Sequence, residues 1–322
     1  VSGALSQTAD IAIDVATGKI LTYSGAAVNL GAKTLTLSGG GTLSNTNALV
    51  LNNADSLLSL DDSSTVGLAS VTVGSNAGKG LAVNESSTIS SLKVTANTEL
   101  KVAQGKVLSG STEVAAATNL KLSGTGTFGS ALNLLGTLEA GANLTVSGLI
   151  SVGGNSAVSI PANTTLTYTG GDLNVGAYSL SIGGAGTFSN ATGSPLVLNV
   201  ADSILDLSGT GTISGPLKLE GGTLKASAGS PTISGALTQY DDATIEVAAN
   251  QTLNYSGASL NLGANKLSLI GGGTFNNTNA LVLNNADSLL SLAGILTIGD
   301  IDGTTSSNSG KGIEVTSSAT MG

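Results

Sequence analysis

The sequence predicts an all-β chain wound as a parallel β-helix, a β-solenoid of about fifteen coils with roughly 20–21 residues in each and no separate domains. Three observations carry that expectation. The chain repeats itself at long range, its local pattern alternates strand and turn almost throughout, and its apolar residues are nearly all small aliphatics. NTNALVLNNADSLLSL at residues 45–60 returns unchanged at 277–292, and a weaker form, NATGSPLVLNVADSILDL, lies at 190–207.

These stretches belong to three longer copies, at 1–90, 148–207 and 233–322. The outer two align without a gap at an offset of 232, and 29 of the 37 residues in 24–60 recur in 256–292. The middle copy carries two extra residues ending at Pro195, which fits a turn insertion, because a strand interior loses register when its length changes. A shorter signature sits inside the copies: an apolar-x-apolar pair, a glycine turn, then Gly-Thr and a large apolar residue. It reads LTLSGGGTL at 35–43, LKLSGTGTF at 120–128, LSIGGAGTF at 180–188, LDLSGTGTI at 205–213 and LSLIGGGTF at 267–275. Its spacing divides the 232-residue offset into about eleven units, each the length of one solenoid coil.

Along the chain, IAIDV at 11–15, LTLS at 35–38, LVLN at 49–52, ASVTV at 69–73 and SLSI at 179–182 alternate aliphatic with small polar residues, as half-buried strands do. Between them stand the turn clusters GGG at 39–41, NNAD at 52–55, GSNAGKG at 74–80 and GGNS at 153–156. The run 106–122, with Ala115, Ala116 and Ala117, is the one segment of helical composition, and the Ser and Gly before the alanines assign it to a loop. A sandwich of antiparallel hairpins needs no similarity between strands. Here similar strands return at coil spacing, so each can lie above its own copy, Leu on Leu, with Asn52 and Asn53 laddering at the turns.

Composition narrows the function. Hydrophobic residues make up 40% of the chain and only 10% are charged, with 46 Gly, 3 Phe, 5 Tyr and no Trp. Cys and His are absent and all 11 basic residues are Lys. Disulfides, thiolate chemistry, the usual zinc and copper ligands and bidentate Arg clamps are therefore excluded, and no cofactor is expected. A net charge of −9 without Lys clusters argues against nucleic acid as a partner, and no apolar run approaches the ~18 residues of a membrane span.

No constellation reads as a catalytic or metal site. Asp55, Asp202 and Asp287 hold one repeat position in the NADS-type turns, several coils apart, where an Asx turn satisfying local backbone is the expected role. The pairs Asp61/Asp62 and Asp241/Asp242 point to opposite faces and sit in turn-like sequence. Phe128, Phe188 and Phe275 follow the Gly-Thr signature and are expected to fill the core. Tyr23, Tyr168 and Tyr255 precede glycine turns and are expected to make corner contacts. The remaining repeat positions are Asn199, Asn284 and Asn285, matching Asn52 and Asn53. No face shows a regular Thr-x-Thr array.

Runs such as SGAL, LTLSGGGTL and GANLTVSG resemble bacterial surface β-solenoids: autotransporter passengers, filamentous-haemagglutinin-like adhesins and giant repetitive extracellular proteins. The resemblance covers the whole chain through composition and implies a right-handed β-helix exported to the cell surface or the extracellular space. Val1 has its counterpart in mid-chain at Ile233, and the first copy continues through Ile89 beyond the point where its duplicate stops at Gly322. The expected function is thus structural: a filament or surface fibre whose partner is more of itself, by stacking or by continuation. The alternatives are the shaft of a surface adhesin and a β-helical carbohydrate-active enzyme, for which Glu139 and Asp172 are the acids to test.

Overall fold

A computed structural model describes residues 1–75, 78–294, 296–303 and 311–321. Asn76, Ala77 and 308–310, which belong to the repeated NAGKG and NSGKG turns, lie outside the described residues, as does Gly322. Every described element is a β-strand; the strands pair in parallel, and an isolated bridge between Ala16 and Gly40 is antiparallel. The chain divides into two compact units, Val1–Gly154 and Asn155–Gly322.

Each unit is a stack of coils, seven in the first and eight in the second, in keeping with the fifteen or so expected. A typical coil has three short strands separated by corners. In the second coil they are Thr34–Ser38, Thr42–Asn45 and Leu49–Leu51. In three coils the second and third strands merge into one long strand: Thr65–Val71, Ser87–Val94 and Val107–Val114. The last of these corrects the loop expected at 106–122. Leu108 and Val114 face inward there, which a loop could not exploit, and Ala117 closes the following turn at φ 59°.

Alternation decides what is buried. Within the first unit Ile11, Leu35, Leu58, Leu81, Leu100 and Leu122 form one inward column, each paired in register with the next. In the second unit Leu180, Leu205, Leu224, Ile245, Leu269 and Leu292 do the same. All of these but Ile11 are essentially inaccessible to solvent. Each such side chain stabilises by about 1.5–3 kcal/mol relative to exposure, so the columns supply the bulk of the driving force. Coil length is less regular than expected. Leu120 meets Leu138, 18 residues on, whereas Leu180 meets Leu205, 25 residues on. The corners absorb the difference, as with the turn at Ala191–Ser194, where the two extra residues of the middle copy fall.

The high glycine content is a consequence of stacking. At one corner a glycine with positive φ packs directly on the carbonyl of the coil before it. Gly184, Gly209 and Gly229 (φ 101°, 124° and 75°) form a column in which each added Cβ would stand 2.1–2.3 Å from the carbonyl oxygen below. Neither the dihedral nor the space suits another residue. Gly209→Ala is therefore expected to cost about 1–3 kcal/mol and lower the urea midpoint followed by far-UV circular dichroism. Gly154→Ala, which has open space at 3.9 Å, should leave that midpoint unchanged.

Candidate functional site

The repeat positions converge on two corners of the coil. At the first, the NADS-type turn, the pivot is a residue that sequence reasoning passed over. Ser56, Ser203 and Ser288 are completely buried. Each hydroxyl donates to a glycine carbonyl one coil back: Gly31 at 2.5 Å, Gly176 at 2.6 Å and Gly263 at 2.5 Å. The same oxygens accept the N–H groups of Asn53, Val200 and Asn285 at 3.1–3.2 Å. A serine beside an acidic residue in a turn looks like ordinary loop composition, so only its burial distinguishes it.

Asn52 and Asn199 work on the same glycines. Their Oδ1 atoms accept the N–H of Gly31 and Gly176, both at 2.9 Å. Asn284 instead donates to Asn261 Oδ1 at 3.5 Å, an amide-to-amide rung of the kind expected. An Asx turn is present in which an asparagine serves as acceptor. Asn53 and Asn285 accept the N–H of Asp55 and Asp287 at 3.0 and 2.8 Å. The carboxylates of Asp55, Asp202 and Asp287 lie on the solvent side of the turn. The amide takes the role because it sits two residues ahead of the N–H it caps.

At the second corner the tyrosines hold their repeat position with the ring inside the core. Tyr23, Tyr168 and Tyr255 are 0–3% exposed, and Tyr168 and Tyr255 stack on Phe188 and Phe275 with centroids 6.3 and 6.4 Å apart. Phe128, Phe188 and Phe275 fill the core as expected. The Tyr23 hydroxyl donates to the Ala26 carbonyl at 2.8 Å and accepts the Leu5 N–H at 3.1 Å. Tyr255 bonds Ala258 and Leu237 in the same way. Gly25 and Gly257 lie against these rings, where an added Cβ would come within 2.6–2.7 Å.

One coil later each tyrosine pairs with a buried asparagine: Asn45, Asn190 and Asn277. These, too, were missed. Asn45 donates to Asn47 O and Leu68 O and accepts from Gly67 N and Leu68 N, all at 2.7–3.1 Å. Asn277 donates to Asn279 O and Asp300 O and accepts from Gly299 N. In both outer copies the second asparagine of the NTN triplet reaches the opposite way. Asn47 donates to Gly25 O at 2.8 Å and Asn279 to Gly257 O at 2.6 Å. The triplet thus ties three coils together.

The acidic residues raised as candidates are also used between coils. Asp61 accepts from Ser59 and Asn84, and Asp62 from the Gly39 N–H. Asp242 accepts the Lys266 N–H at 2.7 Å. Glu139 accepts from Asn119 at 2.7 Å, and Asp172 stands 3.9 Å from Lys218. Among the described residues no cluster of metal-ligating side chains forms, and no helix is long and apolar enough to cross a membrane. The second-strand threonines do align better than expected. Thr165, Thr187, Thr212 and Thr232 pair in register along one face, with Thr167 and Ser189 in a partial second rank. β-Branched residues suit a pleated, half-buried surface of this kind.

Two measurements test these corners. Asn277→Ala leaves several backbone groups without partners, at about 1–3 kcal/mol for each buried group, so its loss of stability should exceed that of Asn276→Ala on the exposed side of the strand. Burial raises the Tyr255 pKa above its ordinary 10.0, with the Leu237 N–H acting the other way, and the hydrogen bond to Glu246 raises that of Lys225 above 10.5. Both groups keep their protons longer when folded, so their contribution is complete below about pH 10 and is lost as pH rises through the folded-state values. Urea midpoints should fall above pH 10, and less steeply in Tyr255→Phe.

Comparison of the chain with family models, curated proteins and solved structures gives no match.

Proposed function

We propose that the chain is a structural element of an extracellular or cell-surface fibre, built by stacking or continuation of β-solenoid coils and exported by a bacterium. The observation that supports this reading is what the long copies keep. Between 24–60 and 256–292 the unchanged residues include Asn45, Asn47, Asn52, Asn53 and Ser56 with their duplicates at 277, 279, 284, 285 and 288. Nearly all of these bond a neighbouring coil, and the rest bond the turn that presents it. A scaffold under pressure to extend preserves this set, because every coil must fit both the coil before it and the coil after it.

On the first strand of the coil the half-buried outward residues vary, while the inward Leu35 and Leu37 are kept as Leu267 and Leu269. Thr34, Thr36 and Ser38 become Lys266, Ser268 and Ile270 in the duplicate. A binding or catalytic face duplicated for its chemistry would hold its outward residues and relax its inward ones. Electron microscopy and fibre diffraction of the purified chain test the reading. Long uniform filaments with a meridional reflection near ~4.8 Å are expected. Discrete particles that never associate at any concentration would overturn it.

A further inference from the structure

Three of the five tyrosines and all three phenylalanines belong to the core. The two aromatics left over, Tyr178 and Tyr240, are 41% and 59% exposed, and both stand on one corner of the second unit. That corner follows the third strands Leu173–Asn174, Leu196–Leu198, Leu217–Leu219 and Leu237–Gln239, which pair in parallel as a separate four-stranded sheet. Successive coils bring to it Tyr178, then Val200 and Ile204, then Gly221 and Gly222, then Tyr240. Val200 and Ile204 are 39% and 37% exposed. The Ile204 N–H donates to the Tyr178 carbonyl at 2.9 Å and the Ser203 N–H to that of Val200 at 3.0 Å, so the three apolar residues lie on adjoining turns.

Stacking does not require these side chains. Where the middle copy has Tyr178 and Val200, the outer copies have Lys33 and Asn53, or Asn265 and Asn285, and Tyr240 stands where the first copy has Thr8. The bonds to the coil behind are kept here by Asn199 and Ser203. An apolar side chain left in water adds nothing to the fold, and contiguous apolar residues on a surface mark contact with a partner. The coil between Val200 and Tyr240 turns on Gly221 and Gly222, which add no side chain to the patch. Three coil spacings separate Tyr178 from Tyr240, ~14 Å along the axis, which is the reach of about four extended residues.

Charge selects the kind of partner. Between residues 170 and 250 there are seven acidic residues and two lysines. Both lysines already face acids, Lys218 at 3.9 Å from Asp172 and Lys225 at 2.8 Å from Glu246. Asp202 and Asp241 are exposed on the same turns as Val200 and Tyr240. We infer that this corner docks a basic, amphipathic peptide segment of a partner protein. The apolar side chains of that segment lie on Tyr178, Val200, Ile204 and Tyr240, and its Lys or Arg side chains face Asp202 and Asp241. A small contact steered by exposed charge weakens as salt rises. The corner lies on the flank of the stack, so assembly along the axis leaves it open.

The test titrates the full chain against a fluorescent octapeptide of alternating Leu and Lys. Octapeptides of Ser and Lys and of Leu and Glu, and a neutral β-glucan oligosaccharide, serve as comparisons. Saturable binding of the Leu-Lys probe alone is expected, falling with added salt. Tyr178→Asn, Val200→Asn and Tyr240→Thr together install residues that the outer copies hold at these positions. That variant should keep its urea midpoint and bind the probe at least ~tenfold more weakly. Asp202→Asn with Asp241→Asn, which retains an acceptor for the Asp242 N–H, should flatten the salt dependence. Equal binding of the Ser-Lys probe, or full binding by the triple variant, would overturn the inference and assign the attraction to the general acidity of the chain. Binding of the Leu-Glu peptide or the glucan that the triple variant abolishes would give the corner to a different partner and overturn it too. So would a Leu-Lys probe that fails to bind at millimolar concentration. None of these outcomes bears on filament formation, which is read separately by microscopy.

Discussion

The structure depends on one constraint: a strand in a stack of parallel coils can satisfy its edges only through the coils on either side. Its N–H groups and carbonyls, its inward side chains and its corners must all match the neighbours in one register. A shift of one residue would turn Leu35, Leu58 and Leu81 outward together. The constraint also explains the aliphatic core. Aliphatics of similar size stack at strand spacing with little lateral demand, whereas an aromatic ring needs relief close by. Tyr255 finds it in Gly257, and the pairing of Tyr23 with Asn45 works because the asparagine turns its amide toward the following coil.

The few charged residues obey the same rule. On the outer face of the first strand Glu99 pairs with Lys121, and Lys121 with Glu139. In the second unit Asp206 pairs with Lys225, and Lys225 with Glu246 at 2.8 Å. Both columns alternate acid, base, acid. Like charges directly opposite on adjacent strands are destabilising, so a coil carrying an acid constrains what the next may carry. Exposed pairs of this sort contribute only about 0–1 kcal/mol. Their effect is on register more than on stability, and uncharged Thr, Ser and Asn are the simpler choice for most outward positions.

Much of this was legible in the sequence. Period-2 alternation placed Ile11–Asp14, Leu49–Leu51 and Ser179–Gly184, because each strand needs only local pattern to be recognised. The eleven-unit division of the 232-residue offset also holds, since Thr34–Ser38 and Lys266–Gly271 are eleven coils apart in chain order. What was hidden lies in contacts 18–27 residues long. Nothing near Ser56 in sequence marks it as buried, because its partner Gly31 is 25 residues back. Asn45 reads as a turn asparagine until Leu68 and Gly67 are seen to saturate it. The single coil length of about 21 residues was an average, and averages conceal corners that lengthen or shorten independently of the strands.

The middle copy ranks the interactions at the NADS-type turn. Asn53 of the first copy is Val200 there, so the amide that caps the turn from within is gone. The two bonds to the coil behind survive: Asn199 still accepts from Gly176, and Ser203 still donates to its carbonyl. Ser203 also keeps the turn closed by accepting the Val200 N–H at 3.2 Å. A bond inside a turn can be replaced by water when the turn is exposed, at little net cost. A bond buried between coils has no such substitute. At this turn the order of loss follows the order of burial, and it leaves the two coil-to-coil bonds as the part that divergence has not reached.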